Sequence, residues 1–584
     1  MKKILTVFCS VLLFGTLVFA DNDIHTGELS GDYSGESHID SVWENAYVKD
    51  GEKVIFSTST NKTAYTRANF SGANLTSASF LDATLTNAKF TNANLSSAYF
   101  DYAILTDANF TNANLKSAWF CYATLKNTDF TDAIIKGAYF DHTVSKGFTE
   151  AQLKSTKSYK EKDLSGIWLN DNDMSGWDFS GQNLTSAYFF NANFSNAIFT
   201  GAVLSSVIFR GATLTNADFT NAIVSGTNFI DAGFTEEQLK TTKSYKERDL
   251  SGIALSLNDM SGWDFSGQNL TSAYLYGSTL SNTNFSNANL TSSNLSGATL
   301  TAANFADTTI KGADFSNTVS EGFTESQLKS TKSYKEKDLS GIALSGNDLA
   351  GWDFNGQNLQ NTSFEYAYIK GADFTNADLR GANLNEIYGT PIYKNTILAD
   401  GVIKNFGMAS AADSLTIRKY TTATSGGEMI NAKVSESDAT VSGGATLKLD
   451  TGARLDIVNK KTLTIAENGV LIIDTAVSDP TQIYIESLAG LVIDGKLTVN
   501  ITEALLPDVE YKFDLISFED GSIIDIPEEC VSLTVLGESF DGVWRWVKNE
   551  NTFSIIATQV PEPATVAAIF GALALGLAVY RRRR

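Results

Sequence analysis

The sequence predicts an all-β chain wound as a solenoid, and three observations carry that expectation. From Ala68 to Phe140 a five-residue unit recurs without a slip: a small residue, usually Ala, then any residue, then Phe or Leu, then two small or polar residues. Near-identical segments beginning at Gly147, Gly233 and Gly322 mark a longer duplication laid over the first. Beyond residue 390 the five-residue rhythm stops, and apolar pairs recur every eight residues at Leu447/Leu449, Leu455/Ile457, Leu463/Ile465 and Leu471/Ile473.

A period of five belongs to neither helix nor strand, whose faces recur at 3.6 and two residues, so the chain must turn once in every repeat. The centres of the first block alternate as Phe70, Leu75, Phe80, Leu85, Phe90, Leu95, Phe100, Leu105 and Phe110. In this pattern residues 68–140, 164–229, 250–315 and 339–384 resemble the pentapeptide-repeat proteins. The resemblance implies a right-handed quadrilateral β-helix with four repeats per coil, the central Phe or Leu and the Ala two residues earlier pointing inward. On that plan Phe lines two opposite faces of the first block and Leu the other two. Ala is required beside them because a larger inward side chain overpacks so narrow a lumen.

The duplicated segments GFTEAQLKSTKSYKEKDLSGI, GFTEEQLKTTKSYKERDLSGI and GFTESQLKSTKSYKEKDLSGI each open on a capping box, Thr149 to Gln152, Thr235 to Gln238 and Thr324 to Gln327, which predicts a short helix after each. Across them the centres are 24, 21 and 24 residues apart (Phe140 to Leu164, Phe229 to Leu250, Phe315 to Leu339), so the five-residue register is expected to break and be re-established. Trp177, Trp263 and Trp352 then stand where Ala is normal. Two readings are open: a widened first coil that seals the end of a module, or an aromatic platform for a sugar ring. With Lys154, Lys157 and Lys160, these tryptophans form a candidate glycan surface, against which stands the reading of the lysines as a solvated helix face.

The two ends carry separate signals. Lys2 and Lys3, the apolar run Ile4 to Val18 and the small-residue site before Asp21 read as a secretory signal peptide cleaved between Ala20 and Asp21. At the other end Val560-Pro561-Glu562-Pro563, the uncharged stretch Val566 to Tyr580 and Arg581, Arg582, Arg583 and Arg584 resemble a PEP-CTERM sorting tail. In that family of Gram-negative surface proteins a membrane-embedded exosortase, a cysteine transpeptidase, processes the tail, so the implied partners are that enzyme and the inner membrane. A helix over the 15 residues from Val566 to Tyr580 reaches about 22 Å, short of the roughly 30 Å hydrocarbon core; snorkelling of the flanking arginines makes up the rest, with the Arg cluster cytoplasmic.

The expected organisation is a signal peptide at 1–20, an amino-terminal cap at 21–66, a first repeat block at 67–146, helical insert plus repeat block at 147–232, 233–321 and 322–389, a second all-β domain at 390–558, and the sorting and anchor tail, with its membrane helix, at 559–584. The second domain is either a further β-solenoid resembling autotransporter passengers or a sandwich; its alternating pairs and the turns at Gly452 and Asn468-Gly469 fit both. Cys121 follows the centre Phe120 and is expected to face outward; with Cys530 it is too sparse for a disulfide framework.

No Gly-rich phosphate loop, HExxH, CxxC or serine elbow is present, so no catalytic, cofactor-binding or metal residue is expected and the chain is read as a non-enzyme. The carboxylates of Asp171-Asn172-Asp173-Met174-Ser175-Gly176 have calcium-loop spacing, but the sister copies place Leu257 and Gly346 at Asp171, and Gln182 stands where a bidentate Glu is needed. With 44 Lys and Arg against 66 Asp and Glu, the net charge of −22 excludes a nucleic-acid binder by bulk charge. The function expected is therefore an exported cell-surface or extracellular-matrix structural or interaction protein, in contact with exopolysaccharide. The alternatives are a DNA-mimic topoisomerase-binding protein and a polysaccharide-active enzyme on a β-helix. A DNA mimic needs a dense acidic stripe, whereas in the first block Asp82, Asp101, Asp107, Asp129 and Asp132 are nearly balanced by Lys89, Lys116, Lys126 and Lys136.

Overall fold

A computed structural model describes residues 65–421, 430–486, 489–505, 509–519 and, with short gaps, 522–558, together with the backbone of six two-residue strands between Ile24 and Phe56. The leader at 1–20 and the tail at 559–584 lie outside the described residues. The chain falls into two compact units, residues 1–304 and 305–584.

In the first unit the five-residue repeat does what its period demands. Each side of a coil contributes one short bridge to the coil twenty residues on, in parallel, as in Asn69↔Lys89, Asn74↔Asn94, Ser79↔Tyr99 and Thr84↔Ile104. Phe70 N donates to Lys89 O at 2.7 Å and Lys89 N to Ala68 O at 2.9 Å, which satisfies the wall backbone coil by coil. The chain rounds each corner in a turn closed by a bond such as Ala73 N to Phe70 O, 3.2 Å. The third residue of that turn is left-handed: Gly72, Ser77, Asp82 and Asn87 have φ of 73°, 59°, 57° and 60°, the requirement of a type II turn.

Inside, centres and alanines are fully buried. Phe90 stacks on Phe70 and Phe110 at 5.0 and 4.7 Å, while Phe100 meets Phe110 edge-on at 5.5 Å. Phe thus forms two columns on opposite walls whose rings touch across the lumen in T-shaped contacts, with Leu75, Leu85 and Leu95 on the walls between.

One wall runs bridge by bridge through each insert. Helices α1 (Glu150–Ser155), α3 (Glu236–Thr241) and α5 (Glu325–Ser330) follow the three capping boxes as expected. A second short helix follows each, α2 (Lys157–Lys160), α4 (Lys243–Lys246) and α6 (Lys332–Lys335), capped by Thr156, Thr242 and Thr331. The ladder steps across as Tyr139↔Trp168, Asn228↔Ala254 and Asp314↔Ala343, so each insert is one enlarged coil and not a break in register. Its groups take the bonds that a repeat would make. Gln152 Nε2 donates to Leu125 O and Thr128 O, Ile135 N to Ser158 Oγ, and Asp178 N to Glu150 Oε1. Phe148 stacks on Phe140 at 4.7 Å and extends the aromatic column through the insert.

The second unit, described by itself, contains repeats from Phe305 onward and passes into a second β-solenoid. Of the two readings for residues 390–558, the solenoid holds and the sandwich does not. Strands pair in parallel along three walls: Ser414–Ile417, Thr446–Leu449, Val470–Thr475, Lys496–Ile501 and Val531–Val535 on one; Ala432–Val434, Arg454–Ile457, Gln482–Ile485 and Glu510–Phe518 on another; Ala439–Val441, Thr462–Ile465, Gly490–Ile493 and Ile523–Asp525 on the third. The eight-residue pairs from Leu447 to Ile473 are its buried core. Antiparallel strands Thr552–Thr558 and Val543–Lys548 lie at one end. A buried ion pair, Arg380 Nη2 to Asp378 Oδ2 at 2.7 Å, stands where the repeats give way, and Arg380 also donates to the carbonyls of Arg418 and Ile430. Among the described residues no helix is long and apolar enough to cross a membrane.

Truncating one ring of a column tests the packing. Phe110→Ala removes stacked contacts to Phe90 and Phe130 and edge contacts to Phe100 and Phe120. It should destabilise the first block by about 3–5 kcal/mol, read by thermal and denaturant unfolding; an unchanged midpoint would show that the ring is not buried.

Candidate functional site

One wall of the first block departs from the polar pattern of the others. At the outward position before the centre, coil after coil carries an aromatic residue: Tyr99, Trp119, Tyr139, Trp168 and Tyr188, bridged in that order straight across the first insert. The rings run as a column with centroid separations of 5.8, 4.0, 4.8 and 3.9 Å and interplanar angles of 31°, 13°, 36° and 17°. A second column stands at the adjoining corner, where Tyr102 stacks on Tyr122 at 5.0 Å and Tyr122 on His142 at 4.2 Å. Tyr99 and Tyr102 are 40% and 50% exposed. His142 Nε2 lies 3.3 Å from Asp171 Oδ2, and Asn191 Nδ2 donates to Asp171 Oδ1.

The corner column occupies strained backbone. Tyr102, Tyr122 and His142 have φ of 60°, 60° and 56°, at the position that Asn, Ser, Asp or Gly fills at most other corners. A left-handed conformation costs an ordinary L residue roughly 1–2 kcal/mol, and such strain gathers where a site requires it.

Between the two aromatic columns runs a third, Asp101, Cys121, Asp141 and Asn170, which folds inward. Cys121 N donates to Asp101 Oδ1 at 2.9 Å, Asn170 N to Asp141 Oδ1 at 2.9 Å, and Phe190 N to Asn170 Oδ1 at 2.7 Å. Cys121 is therefore not the outward residue its place after Phe120 suggested. It is 1% exposed, and its thiol donates to Asp141 Oδ2 at 3.9 Å. Its corner is flanked by Trp119 and Tyr122, side chains large enough to cover it. Burial pushes the carboxyls of Asp101 and Asp141 up to about 6, against the opposing pull of the hydrogen bonds from Cys121 and Asn170.

The residues singled out from the sequence lie elsewhere. Trp177, Trp263 and Trp352 are buried, at 9%, 8% and 8% exposure, which is at odds with an open sugar platform and in keeping with the widened coil, although the ladder crosses each insert and no module end is there to seal. Each stands beside an insert: Trp177 packs 6.1 Å from Phe148 and 6.3 Å from Phe179, and the next residue, Asp178, bonds through its N–H to Glu150 Oε1 of α1 in place of a wall carbonyl. Lys154 pairs with Glu150 at 2.8 Å and Asp178 at 3.5 Å, Lys157 with Glu161 at 3.7 Å, and Lys160 with Asp132 at 2.8 Å, so these lysines form a neutralised face. In the calcium-like loop Asn172 bonds Val144 N and Phe140 O, and Asp173 bonds Ser175 N and Asn193. Among the described residues no cluster suited to a metal ion is found. The remaining polar walls close on themselves: Asn114 Nδ2 donates to Asn94 Oδ1 at 2.9 Å, Asn94 Nδ2 to Asn74 Oδ1 at 3.3 Å, and Asn304 Nδ2 to Asn284 Oδ1 at 3.0 Å. The aromatic columns had a sequence signal, rings 20, 20, 29 and 20 residues apart from Tyr99 to Tyr188, legible only once the length of an enlarged coil is known.

The repeats are identified by comparison with known families. The model described as Pentapeptide repeats matches eight copies, at residues 68–107, 108–144, 163–201, 197–235, 249–287, 283–319, 338–376 and 348–385. The chain thus carries a pentapeptide-repeat domain interrupted by three inserts. No curated protein sequence matches significantly. Among solved structures, HetL, a pentapeptide repeat protein involved in heterocyst differentiation regulation from the cyanobacterium Nostoc sp. strain PCC 7120, is 17% identical over 63% of this chain and 93% of its own, with a TM-score of 0.14. QnrB1, a plasmid-mediated fluoroquinolone resistance protein, is 15% identical over 44% and 91%, TM-score 0.15. A pentapeptide repeat protein from the Arabidopsis thaliana thylakoid lumen is 26% identical over 24% and 69%, TM-score 0.08. With TM-scores this low, none of the three bears on what the chain does.

The buried carboxyls set a pH dependence. Their folded values lie above the ordinary 3.8, so their contribution to stability is fully present below pH ~4 and is lost as pH rises through about 6. Asn170 already performs the same bond with a neutral amide. Asp141→Asn should therefore raise the stability of the first block by about 2 kcal/mol at pH 8 and little at pH 4; an equal effect at both pH values would contradict the assignment.

Proposed function

We propose that this chain is an exported, non-enzymatic cell-surface or extracellular-matrix protein, sorted through a PEP-CTERM tail, whose repeat blocks carry binding faces. The observation that carries the reading is the pairing of the two ends: the leader with its cleavage site at Ala20 and Asp21, and the tail Val560-Pro561-Glu562-Pro563 followed by an uncharged stretch and Arg581 to Arg584. The middle of the chain is in keeping with it. Its polar walls are closed by amide ladders, and the outer carboxylates of Asp129, Asp163 and Asp218 are held below the ordinary range: at Asp129 and Asp163 desolvation is the largest single influence and pushes upward, but the hydrogen bonds from neighbouring hydroxyls and amides and, at Asp163, from Lys136 together outweigh it, while at Asp218 the bond from Thr220 leads. Committed in this way to structure, those groups offer neither a catalytic pair nor the free acidic stripe of a DNA mimic.

The test is to fractionate the native host with and without its exosortase and to sequence the mature carboxyl terminus by mass spectrometry. The expected result is a surface or matrix protein ending upstream of Val566 when the enzyme is present, and an uncleaved, membrane-held chain when it is absent. A full-length chain in the cytoplasm would overturn the reading.

A further inference from the structure

The aromatic corner is an expense the solenoid does not require. Corners with Asn, Ser or Gly round the same turn, and walls with Asn or Thr at the outward position form the same bridges, yet five coils in succession set a Tyr or Trp on this wall and three set an aromatic ring at the corner beside it. The strain at Tyr102, Tyr122 and His142 has no counterpart in packing of the lumen, because these side chains stand outside it.

The chemistry of the surface narrows its partner. The two columns contain Tyr, Trp and His and no aliphatic side chain. Beyond His142 at the corner, Asp171 sets its Oδ2 3.3 Å from His142 Nε2, and the carboxylates between the columns accept from backbone amides. The far edge of the wall is a row of small residues, Ser97, Ser117, Gly137, Gly166 and Ser186, with Lys116 and Lys136 beside it, the latter paired with Asp163 at 2.8 Å. The tilts of 31° at Tyr99–Trp119 and 36° at Tyr139–Trp168, with centroids 5.8 and 4.8 Å apart, spread the stack at two steps. A straight surface of amphipathic rings with little net charge suits an extended, uncharged, hydroxyl-rich chain, whose C–H groups lie on aromatic carbon and whose hydroxyls meet phenol and indole edges. It does not suit a nucleic acid, which needs a cationic track.

We propose that the columns Tyr99 to Tyr188 and Tyr102 to His142 together form a binding site for a neutral polysaccharide lying along the solenoid axis. The site rests on the surface-protein reading for its biological sense, but its chemistry is tested on the purified chain alone.

The experiment is affinity electrophoresis of the full chain in gels containing hydroxyethyl cellulose, galactomannan or, as a polyanionic control, alginate, with sedimentation velocity on the same samples. The variant is Tyr102→Asn with Tyr122→Asn, which installs the usual corner residue, and a second variant adds Trp119→Thr. The expected result is retardation of the wild type by at least one neutral polymer and not by alginate, weakened at least tenfold in both variants, with an unfolding midpoint that is not lowered. Absence of retardation by both neutral polymers, equal retardation of wild type and variants, or variants that change only the sedimentation coefficient and so mark a contact between copies, would each overturn the proposal. A negative result leaves tail processing in the host untouched, and an uncleaved tail in the host leaves the binding result standing, so the two readings fail separately.

Discussion

Everything in the repeat region depends on one backbone constraint, a left-handed residue once in every five. A chain that turns at that interval brings each residue beside its counterpart one coil later, and like side chains then stack on like. Phe columns, Leu walls and Asn ladders are consequences of that geometry. In the first block, where Phe follows Phe the rings lie nearly parallel, as Phe90 and Phe110 do at 3°, and along Asn74, Asn94 and Asn114 each amide donates to the last. Polar walls of this kind satisfy themselves and need no partner.

The inserts show how far the constraint can be stretched. Each adds two short helices, yet capping threonines, a glutamine reaching back to two carbonyls and a phenylalanine placed in the aromatic column restore the bonds that the missing repeat would have made. The buried tryptophans belong to the same device: beside the enlarged coil there is room for an indole where most coils hold an alanine and some a larger residue such as Val207 or Thr227. Against this background of self-satisfied walls, the aromatic corner of the first block stands apart, since it accepts strained backbone and exposes rings that the solenoid could replace with asparagine.

Much of the fold was legible in the sequence because its interactions repeat at short range. The five-residue period, the capping boxes beginning at Thr149, Thr235 and Thr324, and the eight-residue apolar pairs all announce themselves within a dozen residues. Other features depend on neighbours a coil away and were not read. Cys121 looked exposed because the carboxylates that take its amide and its thiol, Asp101 and Asp141, lie a coil away on either side, and the tryptophans after the inserts looked like a seal because the helix beside them lies more than twenty residues earlier in the chain. Helix α2 was missed because Thr156 caps it without the partner glutamine that marked α1. The aromatic columns were hidden by the insert, which turns a spacing of twenty into twenty-nine between Tyr139 and Trp168.

The central claim is that the wall is continuous through the inserts, and hydrogen exchange at the bridging amides tests it most directly. Trp168 N is bonded to Ala138 O and Ala254 N to Thr227 O, each at 2.9 Å. The account predicts that both amides exchange as slowly as Trp119 N and Tyr139 N inside the first block. Exchange at the rate of a frayed end, with protection recovering only a coil later, would contradict it and return the chain to separate, independently capped modules.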